Sequence, residues 1–341
     1  MDDYLSTGLT TLNLQLSNDT RKGIRKGSCV FMVGDSSAGK SFLSSTLAAN
    51  AVIDEDFSDY EIICDDTENG HMFDMETLFG PKVASRVKSP DKGNSEFVEE
   101  FYTSLNHHLD KGPCLYILDS QDGLTSKGES GSFEKLVKAL EKSNDTKAAL
   151  KALGGSYGDG KAKAHSQHLR QAVSKAEQTG SIIVIVGQTR DDIQGYAQDG
   201  LVWSGGKALK FYSHMMLHLV HKDKIEKTYQ GNSRQIGVNS EIRVIKNRQT
   251  GKRTKVRLPI YYSHGLDDVQ AAIEWMIGEK VFSKGTSVDT KDELLGKATM
   301  EKLCKDISFD EAKYQRLLDL IQQRWDEVES AVAVTRRNKY A

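Results

Sequence analysis

The chain has 341 residues with 46 basic and 48 acidic side chains, 38% hydrophobic residues and four cysteines. That length accommodates one large α/β domain plus a small appendage. A formal net charge of −2 neither demands nor excludes a nucleic-acid partner, so any such binding must come from local clusters. No apolar run approaches the roughly eighteen residues that a membrane span needs, and the opening Asp2-Asp3 is acidic where a signal peptide is basic. The expectation is a cytoplasmic protein with no membrane partner. There is no C-x-x-C spacing, and Cys29, Cys64 and Cys114 fall in or beside apolar strand candidates. They read as buried small hydrophobes in a reducing compartment.

The first strong signal is the apolar run 29–33, read as a buried strand, which leads into Gly34-Asp35-Ser36-Ser37-Ala38-Gly39-Lys40-Ser41. These residues fit G-x-x-x-x-G-K-[ST], and a helix is expected over 40–51. A loop at a strand end that opens a helix aims backbone N–H groups and a positive helix terminus at an anion. Gly34 and Gly39 permit the turn, Lys40 reaches the terminal phosphates and Ser41 sits on Mg²⁺. The cofactors expected are therefore ATP and Mg²⁺.

Further strands are expected at 61–64, 115–118, 181–187, 215–220, 242–245 and 256–260, the first four being short, nearly continuous apolar runs. Such runs suit strands covered on both faces of a mostly parallel sheet. Between 125 and 155 lies a helical stretch in which Phe133, Leu136, Val137 and Leu140 mark one face, expected to be a docked helix pair. Past Tyr262 the pattern changes to amphipathic helices over 267–277 and 314–328. The division expected is a core over 1–262, with a helical insert at about 126–153, and a C-terminal lobe over 263–341.

The strand ends carry the remaining chemistry. Asp119 follows 115–118, where a carboxylate either holds Mg²⁺ or merely ends a strand. Glu68 lies in the acidic turn Asp65-Asp66-Thr67-Glu68 and is either a general base or a solvated loop carboxylate. Gln188 follows 181–187 and is either a γ-phosphate sensor or a plain loop amide.

Those strand ends, in that order, resemble the RecA family of recombinases. Gly205-Gly206-Lys207-Ala208-Leu209-Lys210-Phe211-Tyr212 is similar to the family's G-G-x-A-L-K-F-Y signature, which closes its second DNA-binding loop. Lys246-Asn247-Arg248-Gln249-Thr250-Gly251 is similar to the K-N-R-x-x-G stretch of RecA, RadA and phage UvsX-type proteins. Ser6-Thr7-Gly8 through Leu12-Asn13 resembles the S-T-G-x-x-x-L-D entry. The likeness runs over about 5–260.

The resemblance implies a RecA-type P-loop core and a DNA-dependent, Mg²⁺-dependent ATPase. Lys40 and Ser41 act on phosphate and metal, Glu68 is the catalytic carboxylate, Asp119 the metal-side carboxylate and Gln188 the sensor. It places Lys246 and Arg248 against the next subunit's nucleotide. It also places a first DNA-facing loop near 154–161 and a second over 190–206. Lys161, Lys163 and Arg170 beside the first, and Arg190, Tyr196, Trp203, Gly205, Gly206 and Lys207 in the second, offer cations and stacking surfaces for single-stranded DNA. Read without the resemblance, both are surface loops and the paired cations a solvated strand end.

The implied activity is strand exchange between single-stranded and duplex DNA by a homo-oligomeric helical filament, in recombination and repair, with single-strand-binding or mediator proteins as further partners. A regulatory or loader ATPase that switches with nucleotide is the alternative, and a hexameric helicase shares the core fold. The start of the chain lacks the long N-terminal helix with which RecA docks on its neighbour, a compactness reminiscent of phage-encoded members.

Overall fold

The computed structural model describes residues 3–68, 74–128, 130–131, 159–191, 201–203 and 206–336, with backbone alone for 159, 190, 191 and 201–203. The chain opens with β1 (Tyr4–Leu5), α1 (Thr10–Ser17) and β2 (Ile24–Arg25), the two strands pairing antiparallel. It continues through β3 (Cys29–Gly34), α2 (Lys40–Ile53), β4 (Glu61–Asp66), α3 (Met75–Phe79), α4 (Pro81–Arg86), β5 (Val87–Lys88), α5 (Val98–Lys111) and β6 (Cys114–Asp119). Then come α6 (Asp159–Thr179), β7 (Ile182–Asp191), β8 (Leu201–Trp203), α7 (Gly206–Tyr212), β9 (Met215–Tyr229), β10 (Asn232–Asn247), β11 (Lys255–Tyr261) and β12 (Gly265–Leu266). The expected helix pair around Phe133 and Leu140 lies outside the described residues.

Among the described residues the main sheet has ten strands, ordered β12-β11-β10-β9-β3-β7-β6-β4-β5 with β8 on β7. From β9 to β5 every pairing is parallel, while β10, β11, β12 and β8 run antiparallel to their neighbours. This is the mostly parallel α/β sheet that the apolar runs predict. Successive side chains of a strand face opposite ways. Val30 and Met32 accordingly pack in one apolar layer with Ile62, Ile117, Val184 and Leu43 and Leu47 of α2. Phe31 and Val33 pack in the other with Ile63, Leu118, Ile185, Phe101 and Leu105 of α5 and Leu169 of α6. Cys29 and Cys114 are buried, and burial pushes their thiols up to about 12 and about 11, as inert core sulfurs require.

Two strands are longer than their apolar segments. β9 and β10 continue past Val220 as a polar ribbon that turns at Gln230-Gly231, both at positive φ (50° and 80°). With water on both sides, nothing in that stretch selects an apolar period.

Beyond β12 come α8 (Asp268–Gly278), a small antiparallel sheet of β13 (Ser283–Lys284), β14 (Val288–Asp289) and β15 (Lys297–Ala298), then α9 (Met300–Ser308) and α10 (Glu311–Val332). They share a third apolar cluster that includes Ile273, Phe282, Leu317, Ile321, Trp325 and Leu14 of α1. α1 is the tie between this cluster and the sheet. Thr10 donates twice to the Asp268 carboxylate, at 2.6 and 2.7 Å, while the Gln15 and Leu16 carbonyls accept from Asn247 at 3.1 and 3.3 Å.

Candidate nucleotide-binding site

The loop after β3 is shaped by glycine at two positions. A Cβ on Gly34 would collide with the Leu219 carbonyl of β9, and one on Gly39, which sits at φ +92°, would collide with Ile260. Gly39 caps α2 without a side-chain hydrogen bond, so the first-turn N–H groups face the loop. Lys40 lies mostly buried inside it, its ammonium donating to the Gly34 and Asp35 carbonyls at 2.9 and 2.7 Å. Burial pushes the Lys40 pKa down, opposed by Asp119, Asp35, Asp122 and Glu68. A cation inside a glycine cradle, ringed by carboxylates at strand ends, suits a polyphosphate carrying a divalent metal. Among the described residues no three His, Cys, Asp or Glu side chains converge as a metal cage. Mg²⁺ needs none, because it keeps waters and substrate oxygens beside one or two protein ligands. Ser41 on the first turn of α2 and Asp119 at the end of β6 are the groups present for that task.

The parallel sheet brings the other strand ends to the same edge. Asp66 of β4 is level with Asp119 of β6, and Gly34 of β3 with Gln188 of β7. Glu68 is exposed there, accepting from the Ser120 hydroxyl and, at 3.5 Å, from Gln188 Nε2. Asp65 points the other way, fully buried, accepting from Ser95 N–H and hydroxyl at 2.8 and 2.7 Å and from Tyr116 OH at 3.0 Å. Burial raises its pKa, with Ser95 and then Tyr116 opposing. Of the acidic turn residues Asp65 is therefore structural, and Glu68 faces the cradle's edge. Sequence reasoning passed over Ser120, Asp122 and Thr189, whose hydroxyl donates to Asp35. Their position within a few residues of a strand end was the available signal.

Lys246 and Arg248 sit elsewhere. Lys246 is level with Met216 of β9, and Met216 with Phe31 near the start of β3. From Phe31 to Gly34 the strand rises about 10 Å, so the pair lies toward the opposite end of the sheet from the glycine loop. Both cap α7: Lys246 Nζ donates to the Lys210 and Phe211 carbonyls at 2.8 Å each, and Arg248 Nη2 to Phe211 O at 3.0 Å. Cations satisfy carbonyls and the negative dipole end at a helix C-terminus. Burial, then Arg248, lowers the Lys246 pKa to about 8.

Of the expected DNA-facing residues, Lys161, Lys163 and Arg170 stand on α6, whose first turn begins at Asp159, rather than in a loop. Lys163 and Arg170 are exposed, whereas Lys161 Nζ donates to the Gln121 and Asp122 carbonyls at 3.2 and 3.4 Å. Arg190 pairs with Val202 and Thr189 with Trp203 in the β7–β8 hairpin. Gly206 and Lys207 open α7. The loop 154–158, Tyr196 and Gly205 lie outside the described residues.

A family model described as the RecA N-terminal domain matches residues 139–267. The chain is 25% identical over 306 residues to the DNA repair protein recA homolog 1, chloroplastic, of Arabidopsis thaliana, covering 88% of this chain and 62% of that relative. It is 24% identical over 265 residues to the plasmid protein RecA of Lactococcus lactis subsp. lactis, covering 76% and 67%. With the protein RecA of Thermus thermophilus it shares 23% identity over 292 residues, covering 86% and 76%.

Proposed function

We propose that this chain, which belongs to the RecA family, is a Mg²⁺-dependent and DNA-stimulated ATPase that coats single-stranded DNA as a helical filament and pairs it with a homologous duplex. The reading takes 1–262 as the ATPase core and 263–341 as an appended lobe, in a cytoplasmic protein; no helix among the described residues is long and apolar enough to cross a membrane.

One observation carries it: the phosphate cradle with its carboxylates, and the Lys246/Arg248 pair, occupy opposite ends of one sheet. The pair cannot reach its own cradle, yet a transition state that spreads charge over γ-phosphoryl oxygens gains most from added cations. A head-to-tail row of subunits brings one subunit's cations to the next one's cradle, and such a heterologous contact grows into a helix. Lys40 and Ser41 then hold phosphate and metal, Asp119 supports the metal, Glu68 polarises the attacking water and Gln188 senses the γ-phosphate. α7 links the second DNA-facing segment to the cations that cap it.

Electron microscopy with ATP and single-stranded DNA, beside an ATPase and strand-exchange assay, tests the reading. Filaments with DNA-stimulated turnover and exchanged strands are expected. Nucleotide-dependent DNA binding without exchange would instead support a loader or regulatory switch.

A further inference from the structure

The turn after Asp119 is gripped from three directions. Toward β7, the Asp122 carboxylate accepts from the Gln188 N–H at 2.7 Å and the Gln121 N–H donates to Val186 O at 2.9 Å. Toward β4, Ser120 donates to Glu68 and Gly123 packs so tightly on Thr67 that a Cβ would strike its hydroxyl. The third grip comes from α6, where Lys161 donates to the Gln121 and Asp122 carbonyls.

We propose that Lys161 is a positioning residue that restrains this turn in the DNA-free subunit and releases it when a DNA phosphate takes its ammonium. The inference rests on the ATPase reading above and names how DNA would regulate that site. Its physical basis is competition for one cation. The ammonium's hydrogen bonds to the two carbonyls are long, 3.2 and 3.4 Å, whereas a hydrogen bond between two ionised partners is shorter and roughly twice as strong. Lys161 stands on the first turn of α6, which follows the expected DNA-facing segment in sequence, so a phosphate bound at that turn would compete with the carbonyls for its ammonium. Releasing the carbonyls frees Asp122, and with it the backbone of the γ-phosphate sensor Gln188 and the Ser120 partner of Glu68. Asp122 is also among the carboxylates that act on Lys40, so the same movement alters the field at the cradle.

Lys161→Met tests this, keeping length while removing charge. Without DNA, its kcat for ATP should rise roughly tenfold, the size expected when hydrogen bonds from a charged group are lost. KM should stay within about twofold, because the change removes a restraint rather than a substrate contact. Stimulation by single-stranded DNA should shrink by the same factor, and the slope of log affinity against log salt should fall by about 0.7. Lys161→Arg, which keeps donors for the carbonyls, should restore the low DNA-free rate. Lys161→Ala repeats the measurement with a shorter side chain, melting curves confirming that each variant is folded. A DNA-free kcat at or below wild type overturns the proposal. So does a change in salt slope alone, which would make Lys161 a DNA contact and nothing more. If wild-type protein does not hydrolyse ATP, the ATPase reading falls and this inference with it; stimulated wild-type turnover with an unchanged variant removes the inference alone.

Discussion

The two ends of the central sheet carry different chemistry. At one, the carboxyl ends of β3, β4, β6 and β7 present glycine turns, a buried lysine and several carboxylates. At the other, Lys246 and Arg248 close the last carbonyls of α7, with the Arg248 N–H donating to His214 O and the His214 N–H to Cys29 O at the start of β3. The first end has the chemistry that suits a metal-bound polyphosphate, with Lys40 as its central cation. The second presents Lys246 and Arg248, with no glycine cradle around them among the described residues. Neither is a whole site, and on the reading proposed here the complement is a second copy of the chain.

The largest expected effect tests that complementarity. Lys246→Ala or Arg248→Ala should leave ATP binding by the isolated subunit nearly intact and reduce DNA-stimulated turnover by about 10³–10⁵, the range for cations delivered to a transferring phosphoryl group. Mixing either variant with Lys40→Ala should restore measurable hydrolysis, since one protein supplies the cradle and the other the cations. If no mixture of folded, co-assembling proteins recovers turnover, the two ends do not meet.

Next in size is the carboxylate. Glu68→Gln keeps shape and hydrogen bonding but removes the base, so turnover should fall by about 10²–10⁴ with ATP and DNA binding retained. Unchanged turnover would move the role to another strand end, although not to Asp65, which Ser95 and Tyr116 hold in the interior.

A smaller effect separates the ends by pH. Lys246 titrates at about 8, so assembly-dependent hydrolysis should fall as pH rises through that value, by roughly tenfold at pH 9. Stability should move the other way. The folded subunit gives up the Lys246 proton before the unfolded chain does, so the cost of carrying that charge fades from about pH 8 up to the ordinary lysine value. Turnover and thermal melting measured over the same pH series give the two signs, and parallel curves would mean that Lys246 is not the titrating group.

The smallest predicted change concerns the link between the ends. Gly206 sits at φ +77°, with a would-be Cβ 2.9 Å from Ala162 Cβ on α6. Gly206→Ala should cost about 1–2 kcal/mol from the left-handed backbone alone, read as a lower denaturant midpoint. If α7 conveys the state of the second DNA-facing segment, the variant should also weaken DNA stimulation; intact stimulation at reduced stability would make α7 a passive connector.

Local pattern determined much of this protein. Continuous apolar runs specify strands 29–34, 61–66 and 114–119 because a strand covered on both faces needs apolar side chains of both parities, and Gly34 to Ser41 specifies the cradle because its turn conformation admits few other residues. The helices α1 and α5 and the ribbon past Val220 escaped the reading. α1 is buried all round, so its Thr10, Thr11, Asn13 and Gln15 break any apolar stripe, and the ribbon faces water on both sides. What the tertiary structure alone decided is placement. Asp65 and Glu68 are three apart in one acidic turn, yet packing buries the first and exposes the second. Lys161 reads as a DNA contact, yet the docking of α6 sets its ammonium on the turn after Asp119. Lys40 opens the helix after β3 and Lys246 lies at the end of β10, and the insertion of β3 between β7 and β9, with β10 running back antiparallel, puts them at opposite ends of the sheet. Spacing along a chain encodes burial and turn geometry, but which strand ends become neighbours follows from strand order and direction, and those are set by long-range pairing.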